Sequence, residues 1–443
     1  MAIVGDDTSS EPQLKRTIGI GQLTLYALGS MLGSGIYGLI GKAAGLVGNA
    51  VWLSFLVALV AALMTALSYA SLGSRYPRAG GAAYVTQRAF KVPVLSFLVG
   101  LGLVCSGLSS VATQSKVFAV NTAALLGMDG LPVEAVALGF ILILAGIVFR
   151  GIQESMWANV ICTIIEATGL LIVIGAGMSY VGSVDLFEIP HEKADSSLLY
   201  LVMLGSVLTF FAFIGFEDTI NVAEECKNPK VTIPVSLIMA TVAAAVLYIA
   251  VAITAVSVVP WRELAAAPAP LGAVMERAAP QFPSIVLVGI TLFAVANTAL
   301  VNYVTASRLI YGMSRQGLLP PSMGQVHADR QTPHIAVVAL LAVLIPLALV
   351  GSIAELASAT VLLLLFVFTV VNGALAVLKL RAGEPEGAFE VPMFVPVLGA
   401  IVCAVLAVFR VATGNWEASA IAGVLLAGIL VIYGLLRPQP TDD

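Results

Sequence analysis

Long uncharged apolar runs alternate along this chain with short charged connectors, and the runs have the length of membrane crossings. A crossing helix takes about 20 apolar residues at about 1.5 Å of rise each. Lipid offers the backbone no hydrogen-bond partner, so every such run is expected to be a helix that satisfies its own peptide groups. Twelve spans follow, near 18–41, 49–73, 93–126, 133–149, 156–182, 198–222, 233–259, 284–312, 335–350, 354–378, 393–411 and 417–436. Stretches 49–74 and 231–261 carry no charged residue at all. Two connectors promise structure of their own. Residues 79–91 are expected to form a short interfacial helix, and 262–283, with the proline-bounded PLGAVMERAAP, a helical cap at the opposite face.

Composition narrows the class. Apolar residues make up 59% of the chain and charged residues 10%, against about 25% charged in soluble domains. One bilayer-embedded body therefore replaces the two or three soluble domains that 443 residues would otherwise suggest. Cys105, Cys162, Cys226 and Cys403 are scattered without a CxxC pair, and His191, His327 and His334 fall in polar stretches. That pattern argues against a disulfide framework, a metal site or a histidine proton relay. No cofactor is expected, and no nucleic-acid partner; lipid is the surrounding medium. The opening MAIVGDDTSSEPQLKR lacks the apolar core of a cleavable signal. Residues 1–17 are expected to be a disordered tail, and 437–443 a short one at the other end.

Orientation follows from Lys and Arg, which collect on the cytoplasmic side. With the amino terminus inside, fifteen of them lie at the inner side and five at the outer side, Lys116 being counted with neither. Both termini are then cytoplasmic, the number of spans is even, and a prokaryotic inner membrane is the expected location.

The first span holds Gly29, Gly33, Gly35 and Gly38 within TLYALGSMLGSGIYGLIG. Glycine lowers helix stability by about 1 kcal/mol relative to alanine. Gly29 and Gly33 also suit close helix packing, but Gly33-Ser34-Gly35 points to an unwound turn. The sixth span carries the counterpart, TFFAFIGFEDTINVAEE, with Gly215 in an aromatic run that ends in carboxylates. Each of these spans opens a block of five, 18–182 and 183–378, and an odd count turns the second block upside down; residues 379–436 add two helices. Paired glycine-interrupted helices in two inverted halves mark a transporter binding site. Unwound segments offer amides and a positive helix end to a carboxylate, and bare carbonyls to an ammonium.

At these residues the chain resembles the amino acid–polyamine–organocation family of transporters. The match runs through Gly33-Ser34-Gly35-Ile36-Tyr37 and Phe211-Ala212-Phe213-Ile214-Gly215-Phe216-Glu217, then Glu224-Glu225, Lys227-Asn228-Pro229 and Ile233-Pro234. It continues in Ser307-Arg308, Gly312, Ser314-Arg315, Gly317 and Pro320, and in Tyr76-Pro77, Gly80-Gly81-Ala82 and Tyr84. The resemblance implies an all-α polytopic membrane protein of twelve transmembrane helices. Its fold would be leucine-transporter-like, a 5+5 inverted repeat with broken helices 1 and 6 and two C-terminal helices. It also implies alternating access with amino acids or related amines as substrates. Carried over, the amides of Gly33, Ser34, Gly35 and Ile36 would hold the substrate carboxylate. The carbonyls of Phe211, Ala212 and Ile214 would hold its ammonium, with Phe211 as an aromatic lid.

Ionisable groups at membrane depth are costly and mark paths or relays. Glu166 lies about 17 Å into the fifth span, where similar proteins often place a lysine, with Asn297 and Thr298 at comparable depth. These three are the candidate coupling residues, for H⁺ or alternatively for Na⁺ near Glu166 and Thr298. Glu217 and Asp218 line the inner pathway, fix the charge of a substrate side chain, or pair with a cation such as Arg308. No enzyme motif is present. The functional expectation is a secondary transporter importing L-amino acids by proton symport. Sodium symport and amino acid or polyamine exchange are the alternatives, and a channel or membrane enzyme ranks below them. A monomer or weak homodimer is expected.

Overall fold

The computed structural model describes residues 14–126, 132–190, 197–267, 269–350, 353–413 and 416–438. Helices follow one another from end to end: α1 Ile20–Leu32, α2 Ser34–Val47, α3 Val51–Arg75, α4 Gly81–Phe90, α5 Pro93–Leu126 and α6 Val133–Arg150. They continue as α7 Ile152–Gly177, α8 Leu198–Phe210, α9 Asp218–Asn221, α10 Pro229–Val258, α11 Trp261–Ala266 and α12 Pro270–Ala278. The last five are α13 Ser284–Arg315, α14 His334–Val350, α15 Ile353–Leu380, α16 Phe394–Thr413 and α17 Trp416–Leu436. All twelve apolar runs are helical over most of their predicted ranges. Among the described residues, nine helical stretches are long and apolar enough to cross a membrane. Two further apolar helices, His334–Leu349 and Ala422–Leu436, are shorter. The protein is an all-helical, multi-pass membrane protein. The connectors at 79–91 and 262–283 are helical too, as α4 and as the pair α11 and α12.

The interrupted segments sit at the centre. Helix α1 packs against α7, α10 and α13, while α13 runs along α5 and α10 along α3. Gly29 is a packing glycine: a β-carbon there would collide with the Thr163 and Asn297 side chains. Residues 1–13 of the expected tail lie outside the described residues, as do 439–443. Residues 14–17, however, are in place. Leu14 is buried, and the Thr17 and Ile18 amides donate to the Glu225 carbonyl at 2.9 and 3.0 Å. The Lys227 amide returns a bond to Ile18 O at 3.0 Å, so the chain entering α1 is stitched to the segment after α9.

One ion pair anchors that region. Arg308 on α13 donates to both Glu225 oxygens, at 3.2 and 3.1 Å, and neither side chain is exposed at all. Removing one partner of such a pair strands a buried charge. A second clasp lies where the loop after α15 meets α3 and α4. Glu390 is held by Arg75 at 2.6 Å and Lys379 at 2.7 Å, and Glu384 by Arg88 at 2.6 Å and the Tyr76 hydroxyl at 2.7 Å. Partial burial pushes the Glu390 carboxyl up, but Arg75, Lys379 and the Gly387 amide outweigh it and hold the group at about 2.

Arg308→Met is expected to cost about 3–5 kcal/mol, read as a large fall in melting temperature in detergent. Adding Glu225→Gln should recover part of the loss. The Glu390 clasp weakens under acid, as a paired carboxylate does. Because its folded value lies below the unfolded value of about 4.3, its contribution is whole above that pH and vanishes only as pH falls through about 2. The melting-temperature gap between wild type and Glu390→Gln should therefore hold steady from pH 7 to 5 and shrink below 4.3.

Candidate substrate site

Two helix ends and a cavity make the site. Gly33 is the single non-helical residue between α1 and α2, with φ −44° and ψ −163°. The break is thus narrower than the Gly33-Ser34-Gly35 turn read from the sequence, because Ser34 and Gly35 already belong to α2. The consequence is favourable. The first-turn amides of α2, at Ser34, Gly35 and Ile36, have no partner within the helix and stand at its positive end. Gly33 and Gly35 line the cavity. A β-carbon on Gly33 would strike the Thr298 side chain.

The other segment is unwound over a longer stretch. After α8 comes a tight turn over Phe211–Phe213, then Ile214 in extended conformation and Gly215 at φ +127° before α9. That φ suits only glycine. The space agrees, since a β-carbon on Gly215 would lie 2.7 and 2.8 Å from the Ser30 backbone carbon and oxygen. Backbone meets backbone here.

Not every carbonyl expected to meet an ammonium is open. The Tyr248 hydroxyl of α10 donates to Met31 O at 2.5 Å and lies 3.0 Å from Ala212 O, sharing one proton between the two interruptions. Phe211 O accepts the Ile214 amide at 3.2 Å. The Phe211 and Ala212 carbonyls thus each have one protein donor already, while Phe211 and Ile214 line the cavity. Tyr248 carried no sequence signal beyond one hydroxyl in an uncharged run, and its role comes from tertiary packing alone.

The cavity has a volume of about 70 Å³, well below the range of about 300–1,000 Å³ typical of small-molecule sites. Its far wall is a polar stripe on α5, Ser106, Ser110 and Gln114, spaced four apart so that they share one helix face. Asn302 and Thr305 of α13 and Thr360 of α15 complete it. Glu217 and Asp218 also line it, both more than nine-tenths buried. The Gly215 amide donates to Glu217 at 2.8 Å, and the Ser30 hydroxyl to Asp218 at 2.6 Å. Arg308, a candidate partner for these acids, is committed to Glu225 instead.

The expected coupling trio divides. Thr298 lines the cavity, its hydroxyl donating to Ala294 O at 3.2 Å. Asn297 belongs to a separate network behind α1. Asn159 donates to Asn297 at 2.7 Å, Asn297 to the Thr163 hydroxyl at 3.0 Å, and Thr163 to Leu25 O of α1 at 3.2 Å. Glu166 lies one turn further along α7, wholly buried beside Asn297, with neither carboxyl oxygen hydrogen-bonded. Its own carbonyl accepts the Tyr37 hydroxyl at 3.3 Å. Among the described residues no group of three or more His, Cys, Asp or Glu is placed to hold a metal ion.

Comparison with known proteins agrees with this architecture. A family profile described as "Amino acid permease" matches residues 18–433. The branched-chain amino acid permease of Bacillus subtilis is 29% identical over 97% of this chain and 94% of its own length. The methylthioribose transporter of the same organism is 30% identical over 89% and 88%. Mouse cationic amino acid transporter 4 is 28% identical over 86% of this chain but only 62% of itself. The relatives are named as permeases and transporters, not enzymes. From the interrupted helices to the profile that spans nearly all of it, this chain belongs to the amino acid permease family.

Proposed function

We propose that the protein is a secondary active transporter that imports L-amino acids by proton symport with alternating access. The observation that carries this reading is the meeting of two helix interruptions at one polar cavity. There Gly33 and Gly35, at the start of α2, line the same space as Phe211, Ile214 and Gly215 of the unwound segment after α8. A zwitterion placed between them has its carboxylate against Gly33, Ser34, Gly35 and Ile36, at a positive helix end. Its ammonium faces the Phe211 and Ile214 side, the Ala212 carbonyl being shared with Tyr248. Phe211, lining the cavity, is the lid.

In this reading twelve spans form two inverted blocks of five, 18–182 and 183–378, with α16 and α17 appended and both termini cytoplasmic in a prokaryotic inner membrane. The protein works as a monomer or weak homodimer. The buried Arg308–Glu225 pair and the Ile18–Cys226 stitch then lie on the inner side, where they hold the entry to α1 against α13 and the end of the sixth span. Glu166 supplies the coupling. An ionised carboxyl with only the Asn297 amide beside it and no cation to meet it would be expensive in a dry interior, so the site takes up a proton or a cation. Its neighbours Asn297, Thr163 and Leu25 connect it to α1, so occupancy at Glu166 bears on the helix whose end holds the substrate. Thr298 contributes from the cavity side.

Two measurements test this. Gly33→Ala forces a methyl against Thr298 at the cost of about 1–3 kcal/mol that overpacking carries. Amino acid binding should fall about tenfold or more in a protein that still elutes as a folded species. Unchanged affinity would remove the first interruption from the site. Glu166→Gln keeps the shape and abolishes titration. In proteoliposomes it should lose accumulation driven by a pH gradient while retaining amino acid exchange. Accumulation that instead follows an imposed sodium gradient in the wild type would replace the proton by Na⁺, with Glu166 and Asn297 as oxygen donors. Full accumulation by Glu166→Gln under either gradient would place coupling elsewhere.

A further inference from the structure

Four cations gather where the chain enters α1. Lys15, Arg16, Lys227 and Lys230 are all exposed, and the backbone brings them together. Ile18 pairs in parallel with Cys226, and the Lys227 amide donates to Ile18 O at 3.0 Å. Extended chain rises about 3.3 Å per residue, so Lys15 and Arg16 lie within about 10 Å of backbone from that bridge. Lys227 adjoins the bridge on the other strand, and Lys230 follows in the first turn of α10. Both helices that begin here, α1 at Ile20 and α10 at Pro229, add their positive ends to the same patch.

Among the described residues nothing neutralises this charge. No ion pair there includes any of the four cations. The acids on the paired segment are engaged elsewhere. Glu224 accepts the Ala79 amide at 2.9 Å, and both Glu225 oxygens are taken by Arg308.

Depth and the neighbouring surface decide what the counter-charge is. Helix α10 has 30 residues, about 45 Å at about 1.5 Å each. A bilayer with its headgroups is about 40–45 Å thick, so Lys230 in the first turn stands at headgroup level. An apolar stripe leads away from it into the bilayer. Val231, Val235, Met239, Val242 and Val246 are 37–63% exposed and follow one another at steps of three and four, so they share one helix face. Ile20 of α1, 41% exposed, borders the stripe, its carbonyl accepting the Ser236 hydroxyl at 2.9 Å. A soluble anion would use the cations alone, whereas a phospholipid uses cations and stripe together. We infer that the seam between the entry to α1 and the start of α10 binds an anionic phospholipid. Its phosphate sits among Lys15, Arg16, Lys227 and Lys230, and an acyl chain lies along the α10 stripe. Because the cations come from both strands of the stitch, the lipid favours the stitched arrangement over any in which the entry to α1 swings free. The inference needs α10 to cross the membrane, and its residues are long and apolar enough to do so; it does not depend on the substrate or the coupling ion.

The test is a titration of the purified full-length protein in detergent at low salt, with Asp6, Asp7 and Glu11 of the tail present as native competitors. Dioleoylphosphatidylglycerol, dioleoylphosphatidylcholine and inorganic phosphate are the probes, and bound lipid is counted by native mass spectrometry. Phosphatidylglycerol should bind about 25-fold or more tighter than phosphatidylcholine, each cation contributing about fivefold, and the preference should shrink as salt rises. Lys227→Gln with Lys230→Gln should remove most of it, and Lys227→Arg with Lys230→Arg should keep it. Neutralising two exposed cations elsewhere, Lys91→Gln with Arg150→Gln, should leave it unchanged. Equal binding of the two lipids would overturn the site, as would a preference untouched by the Lys227 and Lys230 glutamines. An equal loss in the Lys91 and Arg150 variant would replace a site by diffuse surface charge and overturn it too. Inorganic phosphate that displaces the lipid at equal concentration would make this a soluble-anion site and overturn the lipid assignment.

Discussion

The backbone of Ser30 and the backbone of Gly215 lie against each other with no room for a side chain between them, and much of the bundle is arranged around that contact. It brings the end of one interrupted helix onto the turn of another in the buried centre of the bundle. Peptide groups released there have no water to turn to, so each needs a partner from the protein or from a ligand. Some are taken internally. Tyr248 bridges Met31 and Ala212, Ile214 bonds Phe211, and Glu217 accepts the Gly215 amide. What remains open is the first turn of α2 and a cavity in front of it. The proposed site is the part of the broken backbone for which the fold supplies no helical partner.

Around that contact the polar groups separate into three sets with different neighbours. Arg308 and Glu225 neutralise one another in full burial and bind the chain entering α1 to the segment after α9. Glu217 and Asp218 face the cavity. Glu166 faces neither, standing behind α1 beside a chain of amides and hydroxyls that ends on Leu25. In the proposed function, separation of this kind would let substrate and coupling ion act on one helix from opposite sides without sharing a ligand. Gly29 makes it possible, because any side chain there would push Thr163 and Asn297 off α1.

Much of the architecture was legible in the sequence because lipid imposes it. Apolar runs of crossing length must be helical, and all twelve are; the interruptions at Gly33 and Gly215 announced themselves because glycine is costly inside a helix. Even the connectors at 79–91 and 262–283 were expected to be helical, the second for its bounding prolines. The chemistry of the site was readable only by residue type. Gly33, Gly35, Phe211, Ile214, Glu217, Asp218 and Thr298 could be named as candidates, and the cavity is lined by all of them.

Which candidates touch was settled by tertiary structure. Asn297 and Thr298 are neighbours in sequence, yet a helix turns adjacent residues about 100° apart. One therefore joins Asn159 and Thr163 and the other closes on Gly33. Arg308 was an equal match for Glu217, Asp218 or Glu225 by charge, and only the path of the chain after α9 brings Glu225 to it. Tyr248 and the α5 stripe of Ser106, Ser110 and Gln114 were invisible, since a single hydroxyl or amide in an apolar helix has no meaning until the opposing face is known. Sequence determined that this chain spans the membrane as helices and where two of them break, because those outcomes depend on local composition and on lipid as solvent. The pairing of buried charges, the closing of carbonyls by Tyr248 and the placing of Glu217 and Asp218 at the cavity depend on contacts between residues far apart in the chain, and these the packed bundle alone decided.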